Sequence, residues 1–431
     1  MRFRPARTLI LLAIAAGLLP AAGATPVHAS HDGQARRCFG AKATIVGTNG
    51  DDVILGGPGR DVIVALGGDD DVYGLEGHDA LCAGAGDDRL DGGPGVDFVA
   101  SGDGADEASG GGGSDFVAED HALSSLADTG ADSSADSFSG GGGDDIIADD
   151  PGEDVLDGGP GTDTFFGLFS NYPLMIDLRN GRVVTIAESN ALSSIENAIG
   201  SASADVVFGD ERPNVLTGFL GSDVVFGAGG GDILFATVDG DVLDGGGGRT
   251  SDAVFALVSQ GVQANLDEGT VTSTGRIPDR MLGVEDFLGT AGDDVIVGSG
   301  AANRLYGGGG DDLLDGVAGD DSITGDSPFT PWVDLGPWKK EFLPRGRDTL
   351  DGGDGNDLLD GGPLADTCTT GERLRHCESR KGEDTSTVAR SGVRWHVPAP
   401  LRAWLLRMMS AESPSEVVPP VWRSHPAGSG H

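Results

Sequence analysis

The chain has 431 residues, 75 of them glycine, and its 69 acidic side chains against 28 basic ones leave a formal net charge of −41. A body so negative is repelled by nucleic acid and by anionic membrane surfaces, which excludes both as partner classes. Glycine and acid in this proportion mark either a disordered chain or a turn-rich one that needs counter-cations to fold.

Residues 1–29 read as a secretory signal peptide. Arg2, Arg4 and Arg7 precede a mostly apolar run from Thr8 to Leu19, and the small residues Ala22, Gly23 and Ala24 place cleavage after Ala24 or Ala29. The run is too short to span a bilayer, so the expectation is a secreted, extracellular protein without a membrane span. Residues 30–46 form an N-terminal cap.

From Gly47 to Ala118 eight nine-residue units follow in one phase, each with glycine at its fourth place and aspartate at its sixth. The aspartates are Asp52, Asp61, Asp70, Asp79, Asp88, Asp97, Asp106 and Asp115, and the eighth places include Ile54, Ile63, Val72, Leu81, Leu90, Val99 and Val117. Each unit reads as a glycine turn and a short strand. Successive strand side chains face opposite ways, so the eighth place faces inward and the seventh and ninth face out. One inward aliphatic per unit is too small a core to hold the chain in order. The turns supply what is missing: converging carbonyls and a carboxylate, with no nitrogen or sulfur donor at a repeated position. That oxygen-only, flexible donor set suits Ca2+ better than Mg2+.

The units GGPGRDVIV, GGPGVDFVA, GGGGSDFVA, GGGGDDIIA and GGPGTDTFF resemble the repeats-in-toxin (RTX, hemolysin-type) nonapeptide G-G-x-G-x-D-x-U-x. The resemblance implies an all-β fold, a parallel β-roll or β-solenoid of calcium-binding repeats with strand-rich insertions. It implies a coil of about eighteen residues, with ions between stacked turns and aspartates two units apart sharing one. Asp52 would pair with Asp70, Asp61 with Asp79, and so on to Asp97 with Asp115, for about six ions in the first block. An N-terminal leader departs from the large toxins of the family and looks more like the small secreted calcium-binding proteins of high-GC Gram-positive bacteria.

An acidic insertion over 119–139, ending in a degenerate unit at Ala131 to Ser139, separates the first block, 47–118, from the second, 140–166. Further blocks are expected at 200–249, 289–325 and 343–378, with β insertion modules at 167–199 and 250–288 and a loop at 326–342. Their candidate metal-ligating residues are Asp145, Asp154, Asp163, Asp205, Asp223, Asp232, Asp241, Asp294, Asp312, Asp321, Asp348 and Asp357, with Asp366 at the equivalent place in the last unit. Asn214 and Asn303 replace aspartate in two units and predict weaker or empty sites. The stretch from Ser194 matches the one from Gly283 at a shift of 89 residues, and each is preceded by a strand pair, turning at Arg179-Asn180-Gly181 and at Asp267-Glu268-Gly269. These pairs are expected as lateral elaborations of the roll.

Cys38, Cys82, Cys368 and Cys377 are even in number, which in an exported protein predicts two disulfides. Continuing the phase from Gly361 puts Cys368 and Cys377 at successive eighth places, both inward, leaving Cys38 for Cys82. The tail, 379–431, carries one helical stripe of Leu401, Trp404, Leu405 and Met408, flanked by Arg402 and Arg407. Neither H-E-x-x-H nor G-x-S-x-G occurs, and the stretches without repeats are too short for a catalytic core. The expectation is a non-enzymatic protein, structural or adhesive at the cell surface or in the extracellular matrix, whose partners are calcium ions and a cell-surface polysaccharide or protein. A secreted toxin or hydrolase-related RTX protein is the alternative.

Overall fold

The computed structural model describes residues 36–119, 134–148, 152–167, 172–186, 188–237, 239–247, 251–255, 260–326, 346–362, 365–370 and 373–377, with residues 8–10, 170 and 379–380. The expected cleavage sites, the loop bearing Trp332 and Trp338, and the helical stripe of the tail lie outside the described residues. Among the described residues every regular element is a strand, most of them three residues long. None is a helix long and apolar enough to cross a membrane. The chain divides into two units, one running to Asp163 with Glu188–Ser194, the other comprising Thr164–Ala187 and Ile195–Val418.

In the first unit the chain winds as a coil, laying strands alternately on two parallel sheets. One sheet stacks Ile45–Val46, Val62–Gly67, Ala80–Ala85, Phe98–Asp103 and Phe116–Ala118, with Ile45, Ile63, Leu81, Val99 and Val117 in register. The other stacks Asp52–Leu55, Asp71–Tyr73, Arg89–Pro94, Glu107–Gly112, Ser137–Gly142 and Val155–Asp157, aligning Ile54, Val72, Leu90, Ala108, Phe138 and Leu156. Apart from half-buried Ile45 at the end, these eighth-place side chains are buried between the sheets. Two nonapeptides therefore make one coil. The acidic insertion lengthens its coil, since Asp136 lies 30 residues beyond Asp106 where other coils repeat after 18, yet the register survives. Thr8–Ile10, within the expected leader, pair in parallel with Asp52–Ile54.

The two sheets of this unit differ outside. Along Asp52–Leu55 and Arg89–Pro94 burial alternates as the nonapeptide predicts. On the other sheet the ninth-place Val64, Cys82, Ala100 and Ala118 are buried too, which corrects the expectation that only the eighth place is covered. The hairpin of Arg37–Cys38 and Ala41–Lys42 covers part of this face, while Ala148, and Phe166 and Ile199 in the second unit, are buried at the same place without it. Cys38 forms a disulfide with Cys82, and Phe39 packs edge-on against Phe98 and Phe116 at 5.5 and 6.1 Å between ring centroids.

The second unit repeats the plan. One sheet aligns Phe165, Ala198, Leu216, Leu234, Ala253, Phe287, Leu305, Ile323, Leu359 and Leu374. Both hairpins expected from the sequence form, Met175–Asp177 with Arg182–Val184 and Gln263–Asn265 with Thr270–Thr272. Their first strands are rungs of the coil: Ile176 pairs in parallel register with Val207, and Ala264 with Ile296. They are woven into the roll and are not appended to its side. Arg179, in the first hairpin turn, stacks its guanidinium 4.3 Å from the centroid of the Phe208 ring.

Cys368 and Cys377 also form a disulfide. Cys368 faces inward below Leu350, but Cys377 lies beyond Arg373–Arg375, where Leu374 takes the inward place. The last coil is three residues short of the nonapeptide phase, because Leu374 pairs with Leu359 after 15 residues, and the expected inward position of Cys377 is corrected accordingly.

Candidate metal centre

The sixth-place residues stand in columns. In the first unit the backbone N–H of Asp52 donates to Oδ1 of Asp70 at 2.7 Å, Asp70 to Asp88, Asp88 to Asp106, Asp106 to Asp136, Asp136 to Asp154, and Asp154 to Asn190. The second column runs from Asp61 through Asp79, Asp97, Asp115 and Asp145 to Asp163. In the second unit Asp205, Asp223, Asp241 and Asp279 form one column, and Asn214 and Asp232 another that ends on the Ser251 hydroxyl. Asp294, Asp312, Asp348 and Asp366 form a third, and Asn303, Asp321 and Asp357 a fourth. Each carboxylate thus reaches back to the preceding coil. Every aspartate that the sequence singles out occupies such a column.

Sequence reasoning missed Asp136, Asn190 and Asp279. Their units, Ala131 to Ser139, Thr185 to Ser193 and Thr274 to Leu282, lack the fourth-place glycine. The surviving signal is an acid or amide at the sixth place followed by Phe138, Leu192 or Met281 at the eighth.

In the open turns the fourth-place glycine can be a steric requirement. Gly113 has φ +150°, and a Cβ there would collide with the carbonyl oxygen of Gly95, one coil back. Turn carbonyls therefore pack against the backbone of the next turn.

Two kinds of turn follow from the peptide joining the first and second places. In the closed kind the second-place N–H donates to the sixth-place oxygen of its own unit. Thr48 does so to Asp52 at 2.6 Å, Gly57 to Asp61, Ser201 to Asp205, Asp210 to Asn214, Thr237 to Asp241, Thr290 to Asp294 and Ser299 to Asn303. In the open kind the second-place residue has positive φ and makes no such bond. Leu66, Leu75, Gly84, Gly93, Gly102, Gly111, Gly141, Ala228, Gly308 and Val317 are of this kind. Their units leave Oδ2 of Asp70, Asp79, Asp88, Asp97, Asp106, Asp115, Asp145, Asp232, Asp312 and Asp321 buried with no hydrogen-bond partner among the described residues. Phe219, Gly159, Gly353 and Gly362 share that backbone ahead of Asp223, Asp163, Asp357 and Asp366.

Buried anionic oxygens without donors are costly. Burial pushes Asp106 up to about 9 against the pull of the Asp88 N–H, and the neighbouring Asp88 and Asp136 carboxylates add to the rise. Asp88 and Asp115 are raised to about 8, again chiefly by burial. A cation would relieve this. Among the described residues no three acidic, histidine or cysteine side chains gather into a ligand cluster. A cation in these columns would be held by carboxylate oxygens together with turn carbonyls, the donor set of a hard, flexible-geometry ion.

A coil of parallel strands with stacked acidic turns of this kind is a parallel β-roll. The chain carries RTX calcium-binding nonapeptide repeats, the family whose model matches residues 46–81, 83–117, 131–171, 199–234, 288–323 and 345–368, and that repeat binds calcium. No curated protein matches the chain.

Proposed function

We propose that this is an exported, non-enzymatic calcium-binding β-roll protein, structural or adhesive at the cell surface or in the extracellular matrix, with calcium as its folding ligand. The observation that carries the calcium reading is the recurrence, coil after coil, of a buried carboxylate oxygen without a hydrogen-bond partner among the described residues. Sixth-place aspartates of the open turns, whose Oδ2 has no donor among the described residues, are the proposed ligands together with turn carbonyls. Export is supported by the leader-like segment Arg2 to Ala24 and by two disulfides, which persist in an oxidising, calcium-rich environment. The RTX repeat is not catalytic by itself, and an adhesive role suits a long repetitive surface with net charge −41 that divalent ions can bridge to other acidic polymers. The test is calorimetric calcium titration of the chelated protein with far-UV circular dichroism, followed by binding to cell-envelope polysaccharide with and without calcium. Calcium-induced sheet formation and calcium-dependent retention are expected; hydrolytic or lytic activity of the loaded protein would redirect the reading to a toxin or hydrolase.

A further inference from the structure

Six of the seven closed turns fall in pairs, Asp52 with Asp61, Asp205 with Asn214, and Asp294 with Asn303, and each pair opens a run of coils; the seventh, at Asp241, lies within a run. The reason lies in what stands behind the pairs. Because each carboxylate reaches back to the preceding coil, a first coil faces a segment without a glycine turn. Oδ1 of Asp205 accepts from Leu174 and that of Asp294 from Val262, residues that lead into the hairpin strands. Asn214 and Asn303 instead donate their side-chain amides to the carbonyls of Glu196 and Glu285, both at 2.7 Å. A neutral amide, satisfied on both of its polar ends, leaves no charge for a cation to neutralise.

We infer that calcium is confined to the open turns, and that the first coil of each run is a metal-independent coil that templates the metal-dependent ones behind it. Two further observations point the same way. At Thr48, Ser201, Thr290 and Ser299 the second-place hydroxyl adds its own hydrogen bond to the sixth-place side chain, closing the turn twice over. In the open turns Leu66, Leu75 and Val317 hold φ of +90°, +73° and +72°, a conformation that bulky side chains keep only where something compensates its strain. A ligated cation does so.

The inference rests on the calcium reading above, and one experiment separates the two. Bound calcium is counted by native mass spectrometry on the intact, disulfide-bonded protein and on the variants Asp294→Asn and Asp97→Asn. Asp294→Asn is expected to keep the wild-type count and a calcium midpoint within about twofold, because Asn303 already shows that closed place occupied by an amide. Asp97→Asn is expected to lose at least one ion. A wild-type protein that binds no calcium sinks the calcium reading itself. Calcium binding in which Asp294→Asn loses an ion as Asp97→Asn does overturns only the confinement to open turns. Anomalous scattering from terbium-loaded wild-type crystals needs no variant: peaks beside Asp70 and Asp97 with none beside Asp52 and Asp294 support the inference, and a peak beside Asp294 refutes it.

Discussion

Coil 47–64 and coil 92–109 lay the same kind of strands on the same two sheets, and each buries its eighth-place residue in both units. They differ only in the turns. In the first, Thr48 and Gly57 donate to Oδ2 of Asp52 and Asp61, and only Oδ1 of Asp52, which has no coil behind it, is buried without a partner among the described residues; in the second, Gly93 and Gly102 are left-handed and Oδ2 of both Asp97 and Asp106 is buried without one. The strands and core are therefore common property, and the demand for metal is decided by one peptide orientation per turn.

The sharpest way to break the comparison is a methyl group in each kind of turn. Gly113→Ala forces a side chain into the Gly95 carbonyl at a φ that alanine resists, whereas a Cβ on Gly50 meets nothing within 4 Å. Calcium-loaded melting should show a loss of about 3 kcal/mol or more for the first and less than about 0.5 for the second.

Acidity comes next, and it runs through both kinds of turn. In the metal-free chain burial raises open Asp88 to about 8 and Asp106 to about 9, and closed Asp241 to about 9, while open Asp97 and closed Asp294, the latter held by the Thr290 and Val262 N–H groups, rise only to about 6. A raised carboxyl pKa means that folding takes up protons. The associated stability is complete below the ordinary value of 3.8 and is lost as pH climbs through the range 6 to 9. Desalted, metal-free protein should thus show more sheet by circular dichroism at pH 4.5 than at pH 8. With calcium present the trend should reverse, since protons and the cation compete for the same oxygens.

The disulfides come third. Cys38–Cys82 spans 44 residues and Cys368–Cys377 spans 9, so chain entropy assigns them about 4 and about 2.5 kcal/mol. Removing the first pair by Cys→Ser should lower the melting temperature more than removing the second, and it also loosens the hairpin over Val64 and Ala100. The smallest effect among these is expected for Thr290→Ala, which deletes the hydroxyl that donates to Asp294 and accepts from the Gly292 N–H in a closed turn. It should cost about 1 kcal/mol by chemical denaturation and leave the calcium count unchanged.

Most of the fold is legible because the nonapeptide is both a turn and a strand code: glycine, acid and inward aliphatic recur at fixed places wherever the coil is regular. Asp136 and Asp279 escaped because their units spend no glycine, although Phe138 and Met281 keep the inward place. Burial of Val64 and Ala118 could not be read from their own units, since it depends on what covers the outer face of their sheet and not on the nonapeptide. The misplaced Cys377 reflects a coil shortened where the strand at Leu374 starts early. Closed turns do leave a trace, a Ser, Thr or Asp at the second place, but Gly57 closes its turn without one.

The most direct test of the central claim is the far-UV circular dichroism and melting of the protein before and after EGTA treatment at neutral pH. Loss of most of the sheet signal on chelation, recovered by adding calcium, is the predicted result. An unchanged spectrum and melting temperature would contradict it, because the open coils would then be standing without the cation that their buried carboxylates require.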